Sequence, residues 1–235
     1  VNSYRDPETG TGFPGLLASI AGLDGLLRVG FLTSHPKDAS EDLFRTMAAE
    51  PRVYRHLHLP LQSGSDRILA AMNRRYTAAV FLDRVAAARG RVSELAVTSD
   101  LIVGFPGERE LDFQATLELL SAVRFDDLYA FKYSDRPGTR AQELGEKVAE
   151  TVKAERLARV WALQEQISLA AGLERVGREE EVLFLRRSSR RAGWLVGKSG
   201  RERTVLVEGG PELIGRLARV RIFSADRQLL YGRIA

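Results

Sequence analysis

The sequence predicts an α/β protein built on a parallel sheet and followed by a small five-stranded, OB-like β-barrel. Three observations lead there. Between residues 29 and 132, short apolar runs alternate with segments whose apolar residues recur at helical spacing. A long helical stretch, 146–170, closes that region. Beyond Gly177, five short runs rich in Val, Leu and Ile follow one another with Gly-rich turns between them.

Residues 29–33 read as a first apolar strand. Residues 39–50 read as a helix, with Asp38 or Ser40 as cap and Leu43, Phe44 and Met47 on one face. A second strand is expected over 53–59, then helical stretches over 66–73 and 78–89, the latter turning Phe81, Leu82 and Val85 inward. A third strand covers 95–103. A helix covers 110–123, with Phe113, Leu117 and Leu120 on one side, and a fourth strand 128–132. Strands separated by helices of this length need right-handed crossovers, so neighbouring strands run parallel. In the stretch 146–170, Val148, Val152, Leu157, Val160, Trp161 and Ile167 form an apolar stripe. The barrel strands are expected at 182–185, 194–196, 204–207, 216–223 and 229–234. Three units result: a core over 1–145, a connecting helix over 146–178 and the barrel over 179–235.

Composition narrows the function. At 44% hydrophobic the 235 residues can bury a core. No run approaches the roughly 18 apolar residues of a membrane span, and no signal peptide is visible, so no membrane partner and a cytoplasmic location are expected. The chain opens on Val1 within what reads as continuing structure, so a fragment is expected. It has no cysteine, which excludes disulfides, thiolate metal sites and thiol nucleophiles within these residues. His56 and His58 alternate along a strand and face one side. No acidic third ligand lies near them in sequence, so pocket-lining or core roles are expected and no metal site. Residues 180–235 carry twelve Lys and Arg against six Asp and Glu, and the remainder 23 against 25. The positive charge therefore sits in the tail, which points to a polyanion.

In parallel α/β sheets ligands lie at the carboxyl ends of the strands. The unusual residues gather there: Thr33-Ser34-His35-Pro36, Pro60-Leu61-Gln62-Ser63-Gly64-Ser65, Gly104-Phe105-Pro106-Gly107-Glu108, and Tyr133-Ser134-Asp135-Arg136-Pro137-Gly138-Thr139. Gly104 and Gly107 let backbone amides approach a ligand, and Phe105 offers a face to a flat ring. A plain βα turn explains the same residues. Gln62 and Ser63 suit ribose or base hydrogen bonds, whereas Ser65 or Asp66 suits an N-cap. Arg74 and Arg75 suit a helix C-terminus or a ligand carboxylate. In the tail, Arg186, Arg187, Arg190 and Arg191 flank Ser188-Ser189 in an expected hairpin turn, and Lys198, Arg201 and Arg203 crowd the next.

Several of these segments resemble the radical-SAM methylthiotransferase family: Thr33-Ser34-His35-Pro36, HLHLPLQSGSDRILAAMNRRY (56–76), SDLIVGFPGE (99–108) with LDF after it, and FKYSDRPGTRA (131–141). Val1-Asn2-Ser3-Tyr4 resembles the tail of the family's second-strand motif. The TSHP and QSGS forms resemble its tRNA-modifying branch rather than its ribosomal-protein branch. The resemblance spans essentially the whole chain. It implies a partial (βα) barrel followed by an RNA-binding TRAM barrel.

It also implies a reaction that adds a methylthio group to C2 of N6-isopentenyladenosine beside the anticodon. S-adenosylmethionine would be cleaved reductively at one [4Fe-4S] cluster, a second cluster would supply sulfur, and a second S-adenosylmethionine the methyl. The implied partners are the tRNA anticodon stem-loop and a reducing electron donor, with the protein a monomer. By motif, Gly104, Phe105, Pro106 and Gly107 would lie along the adenosyl group. Gln62, Ser63 and Ser65 would reach its ribose or methionine part, and Arg74 or Arg75 its carboxylate. Tyr133 and Ser134 would border the substrate base, Asp100 would be a structural or pocket acid, and Arg186, Arg187, Arg190 and Arg191 would meet tRNA phosphates. The family's cluster cysteines lie upstream of Val1, so this chain alone is expected to hold no cluster, no catalytic residue and no activity. Ser99 and Arg109 depart from the family's usual threonines. The alternatives are a ribosomal-protein methylthiotransferase, a non-catalytic RNA-binding protein on a barrel scaffold, and a phosphate-binding βα-barrel enzyme. The last needs an acid–base pair that the sequence does not offer.

Overall fold

A computed structural model describes residues 1–32 and 35–235. The expected Thr33-Ser34 half of the first loop lies outside the described residues. The core holds α1 (Phe13–Ala21), α2 (Glu41–Ala49), β1 (His56–His58), α3 (Asp66–Ala71), α4 (Ala78–Arg91), β2 (Ala96–Val103), α5 (Glu110–Val123) and β3 (Asp127–Lys132). The three strands pair in parallel in the order β1-β2-β3. Four strands were expected. Among the described residues the first makes a single parallel bridge, between Val29 and Val53, with Phe31 turned edge-on to Phe13, ring centroids 5.1 Å apart.

The strand alternation divides the sheet. Leu57, Val97, Leu101, Val103 and Leu128 are buried against the helices. His56, His58, Thr98, Asp100, Tyr129 and Phe131 fall on the other face by the same alternation. Helix α1 had no counterpart in the sequence reading; its Phe13, Leu17 and Ala21 are buried, and Pro14 sits in its first turn. Ser40 caps α2, accepting from Leu43 N–H at 3.2 Å, and Thr77 caps α4.

After α6 (Arg140–Glu143), α7 (Glu150–Leu173) crosses β3 and α5. Its buried line runs through Arg156, Val160, Gln164 and Ile167, whereas Trp161 is 37% exposed and leaves the expected stripe. In that line Gln164 Nε2 donates to Phe125 O at 2.8 Å, whereas Gln164 Oε1 and Arg156 Nε are buried without a hydrogen-bond partner.

Strands β4 (Glu179–Arg187), β5 (Trp194–Ser199), β6 (Thr204–Glu208), β7 (Leu217–Ala225) and β8 (Leu229–Ile234) close a barrel in the order β4-β5-β6-β8-β7 around Val182, Phe184, Val205, Val220 and Leu230. A Cβ on Gly232 would lie 2.2 Å from Val220 Cγ1, so closure needs glycine there. Polar contacts dock the barrel on the core. Arg55 N–H donates to Gly200 O at 2.8 Å, Arg201 pairs with Asp126 and Arg28 with Glu181, and Arg175 bridges Glu94 at 2.7 Å and Glu180 at 2.6 Å.

Candidate functional site

Gln62 extends the β-pairing beyond β1: its N–H donates to Asp100 O at 2.9 Å and its carbonyl accepts from Ile102 N–H at 3.0 Å. These bonds hold it at φ +69°, a region costly for a residue with a Cβ. Its side chain lines a cavity of about 500 Å³ with Asn2, His35, Arg74 and Asp100. Asn2 forms one wall, donating to His35 O and accepting from His35 N–H, both at 3.1 Å. Burial and then the charge of Arg74 push His35 below the usual histidine range.

Ser63 and Ser65, expected to reach a ligand beside Gln62, have internal partners. Ser63 Oγ accepts from Ser65 N–H at 3.2 Å. Ser65 Oγ caps α3 and donates to Asp112 Oδ1 at 2.6 Å. Gly64 rests on α5, where a Cβ would lie 2.5 Å from Thr116 Cα. Burial opposes the charge on Asp112, but the Arg67 guanidinium, the Ser65 hydroxyl and the Arg109 amide outweigh it and hold its pKa at about 2.

The glycine loop is close to something, and that neighbour is α7. Gly104 and Gly107 have φ of +71° and +79°. The Gly104 N–H donates to Glu108 Oε1 and the Gly107 N–H to Glu146 O, both at 2.9 Å. The bare side of Gly104 faces the Lys153 stem, whose Cγ would be 2.3 Å from an added Cβ. Glu108 forms a buried ion pair with Arg156 at 2.7 Å. Burial raises the Glu108 pKa, while the Gly104 amide and Arg156 oppose the rise.

Phe105 is buried against Ile68 and Tyr133, the two aromatic centroids 5.2 Å apart. Tyr133 is itself 9% exposed. Its hydroxyl donates to Asp135 at 2.8 Å, Lys147 and Lys153 flank its ring, and Lys153 Nζ donates to its carbonyl at 3.1 Å. Ser134 is exposed. The strand-end loops therefore sort into two clusters. The described part of the first, with Gln62, Arg74 and Asp100, surrounds the cavity. The third and fourth pack on each other and on α7.

On the sheet's other face, both histidines meet Thr98 Oγ1: His56 Nε2 at 2.8 Å and His58 Nδ1 at 3.0 Å. The sequence reading missed Thr98. The register His58↔Thr98 that joins them depends on a strand forty residues away, although the alternation of 96–103 does place Thr98 and Asp100 on one face.

A second, larger cavity of about 1140 Å³ lies between α7 and the barrel. Val196, Leu206 and Tyr231 contribute its apolar lining, and Arg186, Arg190 and Arg191 stand at its rim. Arg186, Arg187, Arg190 and Arg191 are all exposed, and Arg187 is outside the lining. Ser188 Oγ holds the turn by accepting from Arg190 and Arg191 N–H at 3.3 and 3.2 Å. The Arg191 guanidinium lies 5.2 Å from the Trp194 ring centre and 5.1 Å from that of Tyr231. Exposed cations beside aromatic faces suit a nucleic-acid strand, charge for phosphate and ring for base. The next turn corrects the sequence reading. Arg201 pairs with Asp126 on the core, Arg203 donates to Ser168, Asp226 and Arg227 carbonyls, and Lys198 to Glu202 O. Arg201 and Arg203 hold the barrel in place, and Lys198 braces its own turn.

Residues 3–120 match the family model of the radical SAM superfamily, and residues 173–235 that of the TRAM domain. Similar curated proteins include the tRNA-2-methylthio-N(6)-dimethylallyladenosine synthases of Pelotomaculum thermopropionicum, 42% identical over 99% of this chain and 52% of that protein, and of Cereibacter sphaeroides, 46% identical over 99% and 52%. That of Moorella thermoacetica is 42% identical over 100% and 53%. The chain thus spans about half the length of these relatives. Among solved structures, coproporphyrinogen III oxidase of Escherichia coli, described as a radical SAM enzyme, aligns with a TM-score of 0.51 at 16% identity, over 83% of this chain and 46% of that one. That likeness bears on fold alone.

Proposed function

The chain belongs to the radical SAM superfamily, and on that premise we propose that it supplies the second half of a tRNA methylthiotransferase, which adds a methylthio group at C2 of N6-dimethylallyladenosine. The observation that carries this reading is similarity of 42–46% along essentially its whole length to relatives bearing that name. A tRNA substrate sets the cytoplasm as its working compartment. Among the described residues, no helix is long and apolar enough to cross a membrane.

The residues present do not fit an iron–sulfur cluster, because the chain has no cysteine. They do fit S-adenosylmethionine. When bound, it supplies the methyl group. Arg74 would pair with its carboxylate, Asp100 would accept from its ammonium or a ribose hydroxyl, and Gln62 can both donate and accept. The loop 104–107 enters this proposal as a support, since its Gly104 and Gly107 amides already bond to Glu108 and Glu146. The tRNA strand would follow the groove rimmed by Arg186, Arg190 and Arg191, with Arg187 meeting phosphate outside it.

A chimera tests the whole reading. This chain replaces the matching half of a curated relative, in cells lacking their own enzyme. Mass spectrometry of tRNA nucleosides should show the methylthiolated adenosine restored. A stable chimera that leaves tRNA unmodified, or that modifies a ribosomal protein instead, contradicts the assignment.

A further inference from the structure

Five side chains from three elements stand in one file along the sheet's non-helical face. Glu202, in the turn between β5 and β6, has Oε2 2.7 Å from His56 Nδ1. His56 Nε2 is 2.8 Å from Thr98 Oγ1, His58 Nδ1 is 3.0 Å from the same oxygen, and His58 Nε2 is 3.3 Å from Asp100 Oδ2. His58 and Thr98 are each 7% exposed. The ends open into different cavities. His56 and Glu202 line one of about 420 Å³ beside the C-terminal barrel, and Asp100 lines the one that holds Gln62 and Arg74.

Each of the four contacts needs one hydrogen. The Thr98 hydroxyl brings one, two neutral imidazoles bring one each, and ionised carboxylates bring none. Three hydrogens leave one contact as lone pair against lone pair. The Glu202 contact is short but poorly aligned, and His56 Nδ1 there is buried with no other acceptor or donor in reach. A bare nitrogen that close to a carboxylate oxygen is repulsive.

We propose that this file holds one proton beyond those of two neutral histidines and serves as a proton relay between the two cavities. With that proton on His56, the ring donates to Glu202 and to Thr98, Thr98 donates to His58, and His58 donates to Asp100. Transfer moves the His56 Nε2 hydrogen to the Thr98 oxygen while the Thr98 hydrogen moves to His58 Nδ1. One N–H and one O–H break, one O–H and one N–H form, and the positive charge passes from His56 to His58 with no redox change. Other charged or titratable groups near the file include Asp127, which pairs in register with Thr98 and lines the cavity of His56 and Glu202 together with Arg201, Tyr129, its ring centroid 5.9 Å from that of His58, and Lys198 and Tyr54, which sense the Glu202 charge. The inference stands apart from the proposed reaction, since it rests on contacts within this chain.

The chain has three histidines, so ¹⁵N NMR of its imidazole nitrogens resolves them. Near neutral pH, His56 and His58 together should show one ring's worth of double protonation. Asp100→Asn offers an amide donor to His58 Nε2 and so supplies the missing hydrogen. The doubly protonated signature should vanish and both rings should become Nδ1–H tautomers, including His56, which does not touch residue 100. Glu202→Gln should remove the same signature from the other end, leaving both as Nε2–H. Adding Thr98→Val to Asp100→Asn should cancel the effect on His56. If that pair fails to fold, the two single carboxylate variants still decide. Two neutral rings in the wild type, or a doubly protonated ring that survives both carboxylate variants, overturns the relay.

Discussion

At the scale of single residues, the buried charges set the chain's response to acid. Asp112 has its pKa at about 2, against an ordinary value of 3.8. A depressed carboxylate stabilises fully above its unfolded pKa and loses that contribution as pH falls through the folded one. Urea denaturation should therefore show the wild type losing stability relative to Asp112→Asn between about pH 4 and pH 2; a difference that does not vary across that window contradicts the assignment. Glu108 and Arg156 make a different case, since both are buried and paired at 2.7 Å. Arg156→Ala leaves the carboxyl without its partner and should cost about 3–5 kcal/mol. Adding Glu108→Gln should recover part of that deficit in the same titration, and a cost under about 1 kcal/mol means that water or a neighbour replaces the arginine. Neither pair was legible in the sequence. Nothing in the local sequence of Arg67 or Arg156 names its partner, which the fold supplies at the start of α5.

Among elements, regular pattern and end chemistry were legible: Ser40 as a cap, α5 at its observed bounds, and five strands in the tail. What failed depended on distant neighbours. Residues 29–33 are apolar enough for a strand, but pairing needs a partner, and Val29 makes a single bridge. Gly12-Phe13-Pro14-Gly15 looks like a loop, yet proline is tolerated in a first helical turn. The empty side of Gly104 looks the same in sequence whether it faces a ligand or the Lys153 stem. Two glycine variants separate these obstacles. Gly64→Ala meets the backbone of α5 and should cost roughly 3 kcal/mol. Gly104→Ala meets a flexible side chain and a positive φ. Lys153→Ala beside it should relieve the steric part and leave the roughly 1–2 kcal/mol of left-handed strain. Strictly additive effects of Gly104→Ala and Lys153→Ala in thermal unfolding rule out that contact.

On the scale of the whole molecule, the sequence located the positive charge in the tail but not its division of labour. Arg201 and Arg203 bond inward and fix the C-terminal barrel against the rest of the chain, and Lys198 braces the barrel's own turn, whereas Arg186, Arg187, Arg190 and Arg191 stay exposed. Inward and outward cations cannot be told apart by counting, because their partners, Asp126 and the Ser168 carbonyl, lie outside the barrel. The central claim is that this exposed group, on a barrel held rigidly by the inward group, binds the RNA. Binding of an anticodon stem-loop should be followed across a salt series for the wild type and for the variant with Arg186, Arg187, Arg190 and Arg191 all changed to Ala. The account predicts weaker binding and a log–log salt slope shallower by about 0.7–0.9 for each phosphate that the variant no longer neutralises. An unchanged slope and affinity in the four-arginine variant would contradict it.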